Sequence, residues 1–123
     1  MLTAKEFLKV YTDERGDLFQ LPNVRGTQFI SSTKPGVTRG NHYHLIKTEW
    51  FMVLRGQALL VTRGRYTDVK EIYRLHGKYP AVVSISPHVV HSIENVGEDE
   101  LILLVQSSEI FDPANPDTYS EKV

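Results

Sequence analysis

Short apolar runs recur along most of the chain, each closed by glycine, proline or polar residues. They occupy residues 26–32, 37–44, 49–54, 57–62, 66–75, 81–85, 89–94 and 101–106. β-Rich runs at roughly ten-residue spacing predict an all-β sandwich or barrel. Lys34-Pro35-Gly36 reads as a type II turn, with glycine where a positive φ is required. Arg55-Gly56 and Arg63-Gly64-Arg65 supply further turns. No stretch between runs is long enough for a crossover helix, which argues against a βαβ architecture. Upstream, Ala4, Phe7, Leu8 and Tyr11 fit a short helix, while residues 8–12 fit a strand equally well. A polar turn at 13–17 and a short strand at 18–21 follow.

The runs at 50–54 and 101–105 are apolar on both faces. One face fills a barrel; the other needs a second sheet or a second subunit, so a homodimer is expected. Within the final segment, 107–123, the stretch 109–119 has too much Pro, Asp and Asn for a strand. Ile110, Phe111 and Tyr119 are costly to leave in water, so this segment is expected to pack on the barrel.

Composition narrows the chemistry. The 123 residues are 41% hydrophobic and 24% charged, which suits one soluble domain over residues 1–123. A net charge of −1 without a basic run predicts no nucleic-acid partner. Apolar runs of about five residues cannot span a bilayer, and the start has no signal-like core, so a cytoplasmic protein is expected. With no cysteine, any metal must take nitrogen and oxygen ligands.

Those ligands are available. His42 and His44 are two residues apart, so a strand sets both on one face. A turn after Leu45 folds Glu49 back beside them. His91, in a later strand, supplies a third imidazole, and two or three imidazoles with a carboxylate suit a divalent ion. His76 sits beside a Gly-Lys turn and is expected at the surface. His88 is an odd number of residues from His91 and faces the other way.

Gly40, His42, His44, Glu49 and Gly56, followed by Pro87, His91 and Asn95, resemble the two motifs of the cupins. Val89 stands where the general second motif has glycine. The resemblance implies an antiparallel jelly-roll barrel with His42, His44, Glu49 and His91 as metal ligands. Residues 32–44, 91–95, 109–113 and 116–119 narrow it to the C-terminal cupin of the CapF family of capsular polysaccharide enzymes. That likeness runs from about Tyr11 to Val123. In that family a zinc cupin epimerises C3 of a UDP-linked 4-keto hexose, and a separate reductase domain then reduces the ketone. No dinucleotide-binding fingerprint is present in the 123 residues, so a partner reductase is expected as a separate protein.

The run Arg39-Gly40-Asn41-His42-Tyr43 also resembles the dTDP-4-dehydrorhamnose 3,5-epimerases, where the matching arginine contacts the diphosphate and the matching histidine is the base. His42 cannot be both ligand and base. Glu49 favours the ligand role, because the non-metal epimerases lack that carboxylate. Tyr43, His88 and Tyr119 are then the candidate bases, and Arg39 and Lys34 the candidate diphosphate contacts. Zinc is the expected ion, with iron, manganese or nickel as alternatives. An Fe(II) cupin dioxygenase and a non-catalytic sugar-binding or regulatory cupin are the competing functions.

Overall fold

The computed structural model describes residues 3–123. Its strands are β1 (Thr3–Phe7), β2 (Lys9–Asp13), β3 (Gly16–Gln20), β4 (Gln28–Thr33), β5 (Thr38–Tyr43) and β6 (Glu49–Arg55). They continue with β7 (Gln57–Gly64), β8 (Lys70–His76), β9 (Ala81–Ile85), β10 (Val89–Asn95), β11 (Leu101–Ser107) and β12 (Tyr119–Ser120). One sheet has the order β1-β9-β6-β11-β4 and the other β12-β5-β10-β7-β8, all antiparallel. The two sheets face each other as a cupin jelly roll, and β2-β3 forms a separate two-stranded ribbon.

Period-two alternation builds the core. Phe51 and Val53 of β6, Ala58 and Leu60 of β7, and Leu101 and Leu103 of β11 meet Val83, Ile85, Val89 and Ile93 between the sheets. Burying each large side chain contributes about 1.5–3 kcal/mol. A smaller cluster of Met52, Val82 and Leu104, backed by Leu8 and Trp50, lies apart from this core. These are the alternate residues of the two-faced apolar strands, and the chain itself covers them.

One open choice is settled and one expectation changes. The segment 3–11 takes the strand alternative and not the helix: β1 pairs with β9 over its whole length, from Thr3 opposite Ile85 to Phe7 opposite Ala81, and β2 starts at Lys9. An edge position on a sheet outweighs a weak helical spacing. The strand expected to begin at residue 66 begins at Lys70, because the chain first turns there. Thr67 N–H donates to the Gly64 carbonyl at 3.1 Å, and Val69 N–H to Thr67 Oγ1 at 3.1 Å.

The last residues are held mainly by polar contacts. Tyr119 pairs with Tyr43 and Ser120 with His42 across β12 and β5. Arg63 reaches Glu121 and the Lys122 carbonyl, both at 2.8 Å. Phe111 packs edge-on against Phe29, but Ile110 is 80% exposed, so hydrophobic burial does not account for its position. Among the described residues no helix is long and apolar enough to cross a membrane.

Candidate metal centre

β5 carries an extra residue where it meets β10: His42 pairs with His91 and Gly40 with Ser92, leaving Asn41 unpaired. Both Gly40 and Asn41 take positive φ, 94° and 55°. A Cβ on Gly40 would lie 2.8 Å from the His91 carbonyl oxygen, so glycine is required by space as well as by φ. In an unbroken strand residues 39 and 42 point to opposite faces; the bulge sets them on the same one. Arg39 and His42 therefore line one cavity of about 210 Å³ with Glu49, Phe51, His91 and Ser31.

Ring nitrogens and carboxylate oxygens of His42, His44, Glu49 and His91 lie within 4.8 Å of one another. The backbone settles two tautomers. His44 Nδ1 is 2.7 Å from the Asp117 carbonyl oxygen, and His91 Nδ1 is 3.0 Å from that of Val89. A carbonyl only accepts, so each Nδ1 carries the proton and each Nε2 presents a lone pair. His44 Nε2 then faces Glu49 Oε1 at 2.8 Å and His91 Nε2 faces it at 3.5 Å. Lone pairs directed at a carboxylate across such distances require a shared proton or a cation between them. His91 Nε2 is buried without a hydrogen-bond partner among the described residues. This donor set fits a divalent ion, and carbonyl-anchored imidazoles are what metal-ligating histidines normally show.

His42 differs from the other two. Neither of its ring nitrogens has a hydrogen bond among the described residues, and its ring packs against His91 at 4.7 Å and His44 at 4.9 Å. Burial, with His91, His44 and Lys47 adding to it and Glu49 opposing, pulls its pKa down to about 4. Burial alone would raise the Glu49 carboxyl; in the metal-free site a proton shared with His44 Nε2 and the charge of protonated His44 and His91 outweigh burial and hold Glu49 well below the usual range.

The remaining predicted residues are placed as follows. Arg39 donates from Nε to Thr33 Oγ1 and from Nη2 to the Ser32 carbonyl, both at 2.8 Å, which fixes its direction. Asn95 braces the same point, donating to the Thr33 carbonyl at 2.8 Å. Lys34 is exposed in the β4–β5 turn. Tyr43 stacks on Tyr119 at 5.4 Å with the Arg65 guanidinium over it at 4.3 Å. Lying between His42 and His44 in a pleated strand, Tyr43 is turned to the opposite face, and Tyr119 follows it. The His88 side chain is exposed, while its N–H donates to the His44 carbonyl at 2.7 Å. None of these three side chains lines the histidine cavity. His76 is half-buried at the end of β8, its Nδ1 accepting from Lys78 N–H at 2.9 Å.

One residue at the site lies in the 116–119 run that carries the family likeness, yet nothing in the pattern marks it as part of the site. Asp117 contributes its carbonyl to His44, and its carboxylate accepts from the N–H groups of Leu45, Ile46 and Lys47 at 2.9, 3.0 and 3.0 Å. Partial burial raises this carboxyl, but those three amides outweigh it and lower its pKa.

A family model described as the polysaccharide biosynthesis C-terminal domain matches residues 11–119. The chain is 37% identical over 113 residues to a UDP-2-acetamido-2,6-beta-L-arabino-hexul-4-ose reductase of Pseudomonas aeruginosa, covering 90% of this chain and 30% of the relative. It superposes on the capsular polysaccharide assembling protein CapF of Staphylococcus aureus with a TM-score of 0.78 and 34% identity, over 94% of this chain and 34% of CapF. The chain thus spans about a third of the length of each of these relatives. ChmJ, a 3'-monoepimerase from Streptomyces bikiniensis in complex with dTDP-quinovose, shares the fold at a TM-score of 0.83 and 16% identity, over 97% of this chain and 69% of its own. The chain belongs to the polysaccharide biosynthesis C-terminal domain family and has the cupin fold of these sugar-nucleotide proteins.

Proposed function

We propose that this cupin is a metal-dependent epimerase, acting at C3 of a nucleotide-linked 4-keto sugar in surface polysaccharide biosynthesis. The observation that carries this is the pair of carbonyl-anchored imidazoles, His44 and His91, aimed at the Glu49 carboxylate, with Glu49 and His91 lining a cavity that a fixed guanidinium also lines. His44, Glu49 and His91 hold the ion and His42 completes the set. Zinc is the proposed ion. When bound, it supplies a Lewis acid for the carbonyl oxygen and so acidifies the neighbouring C–H.

The chain's own groups bind and orient the sugar nucleotide. Arg39, pre-oriented by Thr33 and the Ser32 carbonyl, keeps donors free for a diphosphate. Ser31 Oγ is buried on the cavity wall without a partner among the described residues and is available to a sugar hydroxyl. Phe51, Ile93, Leu103 and Val105 make the rest of the wall apolar, which strengthens each polar contact inside. The ketone product goes on to a reduction step, which the name of the Pseudomonas relative supports.

A second assignment has an observation behind it. His42 has no hydrogen bond at either ring nitrogen among the described residues and is neutral near pH 7, so it can accept the C3 proton itself. His42→Gln separates the two. Loss of zinc makes His42 a ligand, whereas retained zinc with lost proton exchange makes it the base.

The test is solvent exchange at C3. UDP- and dTDP-4-keto sugars are incubated with zinc-loaded protein in deuterated buffer and followed by NMR. Deuterium at C3 supports the epimerase. Binding without exchange points to a sugar-binding cupin, and iron content with oxygen-dependent turnover points to a dioxygenase.

A further inference from the structure

The segment between His44 and Glu49 is the hinge of the candidate centre, since it decides whether the carboxylate returns to the imidazoles. Asp117, 73 positions from His44, grips both ends of this problem. Its carboxylate collects three consecutive amides, those of Leu45, Ile46 and Lys47, in an anion-binding concavity of main-chain N–H groups. Its carbonyl receives the Nδ1 proton of His44 at 2.7 Å. The two contacts diverge from one residue because Asp117 has φ 53°, a left-handed backbone that aspartate tolerates better than most side chains. Ser108 adds a second tie: Thr48 N–H donates to its Oγ at 2.9 Å, and its own N–H donates to the Thr48 carbonyl at 2.9 Å.

We infer that Asp117 is a positioning residue of the metal centre, setting the His44 tautomer through its carbonyl and the 45–47 loop through its carboxylate. The C-terminal segment is thereby a working part of the site and not only a cover for the barrel. This rests on the metal-site assignment above.

The test measures zinc affinity of the full chain against a chromophoric chelator, and the visible spectrum of the cobalt-loaded protein. Asp117→Ala is expected to weaken zinc binding about 10- to 100-fold and to change the cobalt band intensity. Asp117→Asn, which keeps the left-handed tolerance and one acceptor oxygen, restores part of the loss. Asp112→Ala, whose carboxylate caps Ala114 N–H within the same segment, leaves both readouts at the wild-type level. Wild-type affinity and an unchanged cobalt spectrum in folded Asp117→Ala overturn the inference. If Asp117→Ala does not fold, unchanged values in Asp117→Asn do the same. Failure of the unsubstituted chain to bind zinc is a different result, and it removes the metal assignment itself.

Discussion

Arg39 and His42 open onto the same cavity although they are three residues apart on one strand. The left-handed pair Gly40-Asn41 makes this possible by adding one residue to β5 opposite His91. Gly40→Ala forces a Cβ against the His91 carbonyl at a φ of 94°, a strain of about 1–3 kcal/mol. We expect an unfolding free energy from urea titration lower by that amount, with a correspondingly lower midpoint, together with weaker zinc binding. An unchanged midpoint contradicts the role given to the bulge.

Removing a ligand should empty the centre without dissolving the barrel. His44→Ala and His91→Ala are expected to lose nearly all bound zinc while keeping the β-sheet circular dichroism and a cooperative melt. The core between the sheets rests on Leu60, Val83, Ile85 and Leu101, which the ion does not support. Loss of cooperative unfolding in the metal-free protein counts against this.

The pH dependence of the metal-free protein has a definite sign. His42 has a pKa of about 4 when folded and 6.5 when free, so the unfolded chain binds more protons between those values. Its contribution is complete above pH 6.5 and is lost as pH falls from 6.5 to 4. Glu49, also lowered from its ordinary 4.5, adds a further loss below pH 4.5. Urea midpoints measured at pH 7, 5.5 and 4.5 should fall less steeply in His42→Gln than in the wild type. Equal slopes contradict the assignment.

Arg39→Lys tests the diphosphate contact. Lysine cannot hold both Thr33 Oγ1 and the Ser32 carbonyl while presenting a fork outwards. Nucleotide-sugar affinity by calorimetry should drop about tenfold, with zinc content unchanged. Equal affinity removes Arg39 from the binding site.

Much of this was legible in the residues. Strand periodicity places His42 beside His44, and a short turn returns Glu49; the grouping with His91, on a strand far along the chain, comes from the likeness to the two cupin motifs. The same period, applied to Tyr43, turns it away from its neighbours' cavity. Arg39 was suggested only by family likeness, because alternation alone puts it on the far side and the bulge leaves no periodic trace. Asp117 was invisible for a different reason: it acts on His44 through a main-chain carbonyl that every residue possesses. The closure of the 45–47 loop depends on a contact about 70 residues away, and no local pattern encodes it.

The central claim is that the histidine–glutamate cluster, loaded with a metal ion, moves a proton at C3 of a 4-keto sugar nucleotide. NMR in deuterated buffer compares the zinc-loaded chain, the chelator-treated chain and His91→Ala on the same UDP-4-keto sugar. The account predicts deuterium at C3 with the zinc-loaded chain and none above background with the other two. No exchange with the loaded chain, or equal exchange by all three, would contradict it.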